Sequence, residues 1–309
     1  MTTLPETSSC VVAIGVCTFR RPGLAQTLQS LATQSLLGRV RCCVIVADND
    51  ESPSALPIIA QARENHDIDL HYVHAPARNI SIARNALLDK AQQLNAPYLA
   101  MIDDDEFADP SWAENLFATL HDSAAHAVLG RIVAEFRSDA PGWMRRAGLH
   151  DMAPEIQRDG RILTGYSGNM MIKLDADCVK SRRFDLALGQ TGGEDDTFFH
   201  EMVRDGGMIA YAPDAIVREH VPENREKLRF LLPRNYRSGQ TYATLNAPAG
   251  AKRMVYLAKA AAKVAILTAA AGVFFWHPAK RTKALMRASL HLGVCSQVLG
   301  GRMLRLYGT

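Results

Sequence analysis

Three consecutive carboxylates, Asp103 to Asp105, follow an apolar run in the segment MIDDDEFADP. Carboxylates placed directly after a buried strand repel one another unless a positive charge lies among them. A divalent cation can supply that charge, because Mg²⁺ and Mn²⁺ prefer oxygen ligands and share one or two carboxylates with substrate phosphates. We predict that Asp103 and Asp105 bind a metal ion and that Asp103 and Asp104 contact a nucleotide. The alternative is a solvated acidic loop that caps the helix near Pro110.

A second polar run, Asp48-Asn49-Asp50, follows another apolar segment. An acidic residue at the end of a strand can accept a hydrogen bond from a base N–H group or a ribose hydroxyl. Thr18 and Arg20 follow the first apolar segment in the same way, so Thr18, Arg20, Asp48 and Asp50 are predicted nucleotide contacts. A local role stays open, because Asx residues also end strands by bonding their own backbone.

Two arginines, Arg78 and Arg84, lie in the segment ARNISIARN near the start of a predicted helix. Free N–H groups and the helix dipole favour anions at that end of a helix. Arg84 is therefore a predicted phosphate contact, with an ordinary surface arginine as the alternative.

The run Gly192-Gly193-Glu194-Asp195-Asp196 precedes an amphipathic helix that contains Phe198 and Phe199. Carboxylates at a helix N-terminus can protrude into a cleft, where one of them can accept a proton from an attacking hydroxyl. We assign that base role to Asp195 and expect Glu194 to orient the acceptor. Helix capping is the alternative, since Glu and Asp are common in a first helical turn.

Three further residues are weaker candidates. His220 follows a short apolar run and is a predicted third metal ligand, although a single histidine is more often structural. Arg234 and Arg237, in LLPRNYRSGQ, are predicted contacts to phosphate or to the acceptor. A solvated helix face explains these two arginines equally well.

These residues lie among short strands that alternate with helices over the first hundred residues. The predicted strands are residues 11–17, 41–47, 69–74 and 98–102, and the predicted helices begin near Pro22 and cover residues 57–64 and 81–94. Such alternation is typical of a parallel sheet with helices on both faces. Ligands bind beyond the carboxyl ends of the strands in these sheets, which is where Thr18, Asp48 and the Asp103 to Asp105 run fall.

Beyond residue 127 the alternation ends. Predicted strands cover residues 128–136, 169–173 and 208–211, a helix covers 194–204, and the loops are rich in glycine. We predict a nucleotide-binding half over residues 1–125, an acceptor-binding and catalytic half over 126–250, and a helical tail over 251–309.

Composition indicates a globular chain. Its 309 residues are 48% hydrophobic and 22% charged, enough to bury a large core without disulfides. The six cysteines show no C-x-x-C spacing and are expected to be buried thiols. The N-terminus has no basic residue before a first apolar run that is short, so we expect no signal peptide and a cytoplasmic chain.

The C-terminal tail is basic and apolar. Residues 251–309 contain ten Lys or Arg and no Asp or Glu, and Val264 to Trp276 carries no charge. Thirteen residues are short for a spanning helix, so a helix lying in the interface of an anionic inner membrane fits better. The alternative is a helical hairpin packed on the catalytic domain. Nucleic acid is not expected as a partner, because no nucleic-acid module accompanies the charge.

The order of these motifs resembles the family 2 glycosyltransferases of GT-A fold. The matching segments are VVAIGVCTFRRP, VIVADND, NISIARN, MIDDDEFADP and GGEDDTFFHEMVRDG, which together span roughly residues 9–221. The whole chain, including RNYRSGQTYA, is similar to the members that act in bacterial exopolysaccharide synthesis.

The resemblance implies an α/β GT-A fold, a nucleotide-binding half joined to a mixed-sheet acceptor half. It also implies a UDP-sugar donor, Mn²⁺ or Mg²⁺, inversion at the anomeric carbon with Asp195 as base, and a β-linkage. The implied acceptor is a polyprenyl-diphosphate-linked oligosaccharide at the cytoplasmic face of the inner membrane, with polysaccharide assembly proteins as further partners. Glucose as the sugar rests on this resemblance alone.

Two departures from the family pattern have consequences. The Q-x-x-R-W motif and multiple spanning helices of processive members are missing, so we expect one sugar per encounter. Phe19 replaces a Tyr of many relatives, which removes a polar contact to the base. Two other functions stay open, a catalytically silent membrane subunit and a nucleotidyltransferase. A nucleotidyltransferase should carry a glycine- and lysine-rich phosphate loop near the first strand, and Phe19 to Pro22 occupies that place.

Overall fold

Short strands and helices alternate along the first part of the chain, as the sequence predicts. The computed structural model describes residues 7–38 and 40–305. The strands are β1 (Thr7–Thr18), β2 (Val40–Asp48), β3 (Leu70–His74), β4 (Tyr98–Asp103), β5 (Glu106–Ala108), β6 (Ala127–Phe136), β7 (Asn169–Lys173) and β8 (Ile209–Val221). The helices are α1 (Leu24–Ala32), α2 (Leu56–Asn65), α3 (Ile80–Gln93), α4 (Trp112–His121), α5 (Gly142–Ala147), α6 (Glu194–Arg204), α7 (Leu228–Asn246), α8 (Lys252–Val273) and α9 (Pro278–Val298), with a 3₁₀ turn at Ser35–Gly38.

The strands form one eight-stranded sheet in the order β3-β2-β1-β4-β7-β6-β8-β5. The strands β3, β2, β1 and β4 are parallel, whereas β7 is antiparallel to both β4 and β6. The predicted parallel half followed by a mixed half is therefore confirmed. All four parallel strands end at one edge of the sheet.

Apolar sequence explains the central strands. Val12, Ile14 and Val16 of β1 are fully buried, as is Ile45 of β2, because helices cover both faces of a parallel sheet. Helix α1 buries Leu24, Leu28 and Leu31, the face predicted from their spacing.

The antiparallel part of the sheet differs from the predicted strands. Strand β8 continues to Val221, ten residues beyond the predicted strand, and β5 was not predicted. Only some β8 side chains are buried, so its hydrophobic alternation is weak. Pairing of β5 with β8 stabilises both strands through backbone bonds that are independent of side-chain pattern.

The chain divides into two compact units. The first contains residues 1–133, 151–190 and 194–219, and the second contains residues 134–150, 191–193 and 220–309. Helix α7 thus groups with the C-terminal helices, whereas the sequence prediction placed it with the acceptor half. The cause lies at Gly239 of α7 and Gly293 of α9, where each glycine lies against the backbone of the other helix.

Helix α8 exposes much of its apolar surface. Met254, Val255, Ile266 and Val273 are exposed, as are Phe275 and Trp276 in the turn that follows. The helix is unbroken over 22 residues, so its length and composition are sufficient to cross a membrane. The thirteen uncharged residues considered in the sequence prediction are too few to do so. Helix α9 packs against α7 and α8.

Among the described cysteine side chains, Cys17, Cys43 and Cys295 are buried thiols, as predicted. Cys42 and Cys178 are partly buried, and the side chain of Cys10 lies outside the described residues.

Candidate active site

The ends of three neighbouring strands bring the predicted nucleotide residues together. Thr18 of β1 is in register with Asp48 of β2, and Cys17 is in register with Asp103 of β4. Because these strands are parallel, the polar residues that follow them share one edge of the sheet.

Thr18 and Asp104 bond to each other. The Thr18 hydroxyl donates to Asp104 Oδ2 at 2.7 Å, and both residues are buried. Burial raises the pKa of the Asp104 carboxyl to about 7, and the Thr18 hydrogen bond opposes that rise. The Arg21 guanidinium lies 3.9 Å from Asp104 and 3.7 Å from Asp105. Arg21 was not a predicted site residue.

Asp48 supports the loop after β2. Its carboxylate accepts hydrogen bonds from the Asp50 N–H at 3.1 Å and the Ala55 N–H at 2.9 Å, and it is fully buried. This geometry matches the local Asx role that the sequence left open. Asp50 in turn accepts from Arg20 Nε at 2.8 Å, and this bond holds the pKa of Asp50 well below its usual value.

A cavity of about 260 Å³ opens beside this loop. It is lined by Thr18, Arg20, Arg21, Pro22, Leu24, Ser54, Ala55 and Ile58. Thr18 and Arg20 are predicted site residues. Ser54 and Ile58, at the start of α2, are not, because only the tertiary structure brings them to the cavity.

Phe19 presents an exposed ring near two arginines. The guanidinium carbons of Arg20 and Arg78 lie 5.4 Å and 5.8 Å from the ring centroid. Both arginines have left-handed backbones, with φ of 53° and 43°. Such conformations are costly for residues with a side chain and cluster at functional sites. Phe19 and Arg78 are therefore added to the candidate site.

Acidic residues accumulate at the end of β4, where Glu106 is buried and the Asp103 side chain is 45% exposed. Partial desolvation raises the pKa of the Asp103 carboxyl to about 6, and the negative charges of Asp105 and Glu219 add to the rise. Burial also raises the pKa of Glu106 well above its usual value. Glu106 accepts a hydrogen bond from the Asp103 N–H at 3.1 Å.

This acidic pocket fits a divalent cation shared with a phosphate. The carboxylates around Asp103 carry more negative charge than the nearby positive groups neutralise. A bound cation would reduce the repulsion among these carboxylates. Across residues 7–38 and 40–305, no three His, Cys, Asp or Glu side chains are grouped so as to hold a metal ion by themselves. His220 belongs to the second unit, where its Nδ1 lies 3.6 Å from Glu135, and its assignment as a metal ligand stays a prediction. Two carboxylates completed by phosphate oxygens remain a chemically sound donor set.

Arg84 joins the end of β4 to the start of α6. Helix α3 holds it in place, since the Asn79 side chain caps α3 by accepting from the Ser81 N–H. The buried guanidinium donates to Glu194 Oε1 and lies 3.8 Å from Asp103 Oδ1. Burial lowers the pKa of Arg84, but the Glu194 and Asp103 charges outweigh it and the pKa is raised.

Glu194 and Asp195 differ in exposure. Glu194 is buried, its Oε2 has no hydrogen-bond partner within residues 7–38 and 40–305, and burial raises its pKa. Asp195 is partly exposed, and its Oδ1 accepts from the Asp196 N–H at 2.8 Å. This bond satisfies one backbone N–H of the first turn of α6, and the partial exposure of Asp195 leaves it accessible to solvent.

Arg234 and Arg237 lie on α7 with different surroundings. Arg234 is partly exposed. Arg237 is buried and donates to the Thr191 and Gly192 carbonyls and to the Thr241 hydroxyl. These bonds direct the Arg237 guanidinium toward the loop before α6.

Sequence comparison agrees with the motifs. The family model described as "Glycosyl transferase family 2" matches residues 13–179. The "Succinoglycan biosynthesis protein ExoM" of Rhizobium meliloti (strain 1021) is 43% identical over 299 residues, which cover 96% of this chain and 96% of that protein.

Structural comparison extends to distant proteins. A mannosyltransferase, PcManGT from Pyrobaculum calidifontis, solved with GDP-Man and Mn²⁺, aligns with a TM-score of 0.62 at 18% identity and covers 94% of this chain and 88% of its own. Residues 1–349 of S. aureus TarS align with a TM-score of 0.52 at 14% identity, covering 94% of this chain and 91% of theirs. The predicted fold class is confirmed.

Proposed function

Because this chain belongs to glycosyltransferase family 2, we propose that it transfers one glucose from UDP-glucose to a lipid-linked oligosaccharide in succinoglycan-type exopolysaccharide synthesis. The observation that carries the proposal is 43% identity to a succinoglycan biosynthesis protein along nearly the whole chain. A β-linkage formed by inversion, and glucose as the sugar, belong to the same proposal.

The nucleotide would bind at the carboxyl edge of the parallel strands. The Phe19 ring offers a stacking face for the base, and Arg20 and Arg78 beside it can contact phosphate. Arg84 can neutralise a diphosphate near Asp103, and Thr18, Asp48, Asp50 and Asp104 support the loops around it.

Asp103 and Asp105 would hold the metal ion. A Mn²⁺ or Mg²⁺ ion, when bound, supplies positive charge to the diphosphate leaving group. Mn²⁺ was present with GDP-Man in the mannosyltransferase structure, which supports this proposal. His220 is retained as a candidate ligand.

Asp195 would take the proton from the acceptor hydroxyl as that oxygen attacks the anomeric carbon. Glu194 would accept a hydrogen bond from the acceptor through its unpartnered Oε2, while Arg84 keeps the other oxygen in place. Arg234 remains a candidate acceptor contact.

The acceptor's lipid would be held at the cytoplasmic face of the inner membrane. The exposed apolar residues of α8 and the basic residues around them support contact with an anionic bilayer. Polysaccharide assembly proteins are further proposed partners.

Nucleotide binding is the first test. UDP and UDP-glucose are titrated by calorimetry into the purified protein with Mn²⁺ or with a chelator. We expect binding that requires Mn²⁺ and that Asp105→Asn loses, because one metal ligand is removed. Asp67→Asn, at an exposed position, is the matched control and should bind as wild type does.

The outcome separates the remaining functions. Metal-dependent UDP binding followed by glucose transfer to a lipid-linked acceptor would establish the proposal. Folded wild-type protein that binds no UDP under any condition would contradict it and favour the catalytically silent membrane subunit.

A further inference from the structure

Arg237 is buried in the middle of α7, with 4% of its surface exposed. Its Nε donates to the Thr191 carbonyl at 2.9 Å, and its two terminal nitrogens donate to the Gly192 carbonyl and to Thr241 Oγ1. A planar guanidinium offers several donors in a fixed fork, so it can hold two successive carbonyls at once. Arg237 therefore anchors the loop directly before α6.

That loop needs an anchor. Gly192 and Gly193 both have left-handed backbones, with φ of 86° and 89°, and glycine in this region has little intrinsic preference for one conformation. Thr241 packs closely against Gly193. If Gly193 carried a Cβ, that atom would lie 2.8 Å from the Thr241 Oγ1, so a larger residue would not fit there. The next residues in the chain are Glu194 and Asp195, the first turn of α6.

We propose that Arg237 is a positioning residue for the catalytic carboxylates, acting through the Thr191 to Gly193 loop. This inference rests on the proposed function, because it gives Asp195 the role of base. Arg237 fixes where α6 begins, and the start of α6 fixes where Asp195 meets the acceptor hydroxyl. A misplacement of about 1 Å at such a site can reduce a rate about 100-fold. The role differs from a phosphate contact, in which Arg237 would touch the donor itself.

The test compares Arg237→Ala and Arg237→Lys with Arg229→Ala, an exposed arginine of the same helix. For Arg237→Ala we expect kcat to fall about 100-fold, while KM for the nucleotide sugar and UDP affinity by calorimetry stay at the wild-type values. Arg237→Lys should also be slow, because one ammonium cannot reproduce the fork. Added guanidinium ion should restore part of the Arg237→Ala rate, and Arg229→Ala should behave as wild type.

Two results would overturn the proposal. A loss of UDP affinity in proportion to the loss of rate would make Arg237 a phosphate contact, and an unchanged kcat would remove its role. If Arg237→Ala does not fold, Arg237→Lys carries the test, because one ammonium cannot hold the Thr191 and Gly192 carbonyls together as the guanidinium does. It should lower kcat without changing UDP affinity, and an unchanged kcat there would equally reject the proposal.

Hydrogen exchange gives a readout that needs no activity. Amides of residues 197–200, which lie just beyond the first three N–H groups of α6, should exchange faster in Arg237→Ala than in Arg229→Ala, and equal exchange would contradict anchoring. Wild-type UDP binding and transfer test the proposed function separately, so failure of one proposal is distinguishable from failure of the other.

Discussion

Arg84 interacts with two carboxylates that lie on different elements of the candidate site. It bonds Glu194 at the start of α6 and lies near Asp103 at the end of β4. A buried ion pair contributes little net stability over an apolar pair, but losing one partner leaves an uncompensated buried charge. The sequence indicated Arg84 as a phosphate contact, and the structure adds its bond to Glu194.

Removing Arg84 alone should therefore be more harmful than removing both charges. We expect Arg84→Met to lower the free energy of unfolding by about 3 kcal/mol, because Glu194 stays buried without its compensating positive charge. Arg84→Met combined with Glu194→Gln should recover most of that loss while remaining inactive. Urea denaturation measures the first effect and a transfer assay the second.

Arg183→Met provides the surface control. Arg183 pairs with Asp89 at 2.9 Å, and both side chains are well exposed, so its loss should cost less than about 1 kcal/mol. Equal instability of the single and double Arg84 variants would show that the Glu194 charge is not what Arg84 compensates.

At the scale of elements, the contact between α7 and α9 depends on two glycines. A Cβ at Gly239 would lie 1.8 Å from the Leu290 carbonyl oxygen, and one at Gly293 would lie 1.9 Å from the Tyr236 carbonyl oxygen. Backbone atoms cannot move aside as a flexible side chain can, so the helices would have to separate. This close contact also sets where α7, and with it Arg237, is held.

We expect Gly239→Ala to destabilise the protein by about 1–3 kcal/mol through overpacking, measured as a lower thermal midpoint. Gly272→Ala is the control, because Gly272 is an exposed residue of α8 with open space around it. It should stabilise by up to about 1 kcal/mol, since alanine is the better helix former. A neutral or stabilising Gly239→Ala would show that the helix contact adjusts freely.

At the scale of the whole molecule, charge is divided between the two units. The first has 17 Lys and Arg against 28 Asp and Glu, a net charge of −11, and the second has 18 against 4, a net charge of +14. The overall value of +3 conceals this division. The acidic first unit suits a bound cation, and the basic second unit suits an anionic lipid surface.

Membrane binding should therefore depend on the second unit. Replacing Lys259, Lys263 and Lys280 with Gln should weaken binding to vesicles containing phosphatidylglycerol by about 3 kcal/mol, at about 1 kcal/mol for each charge. Replacing Arg158, Lys180 and Arg204 of the first unit is the matched control and should have little effect. Co-sedimentation at low and high salt measures both, and equal weakening in the two triple variants would contradict the assignment.

The sequence alone determined the parallel strands, the helices between them and the strand-end positions of Thr18, Asp48 and Asp103. Apolar periodicity and chain order specify these features locally, and the family followed from the order of the motifs. Asp103, Asp105 and Asp195 were also named from sequence as metal and base candidates, and these roles remain proposals.

Only the tertiary structure decided which side chains meet. Arg84 with Glu194, Arg20 with Asp50, and Arg237 with the Gly192 carbonyl are 110, 30 and 45 residues apart in the chain. No local periodicity encodes such pairs, because they form when packing brings distant segments together and burial requires each charge or carbonyl to find a partner. The length of β8 and the grouping of α7 with α9 were likewise set by strand pairing and by close helix contact.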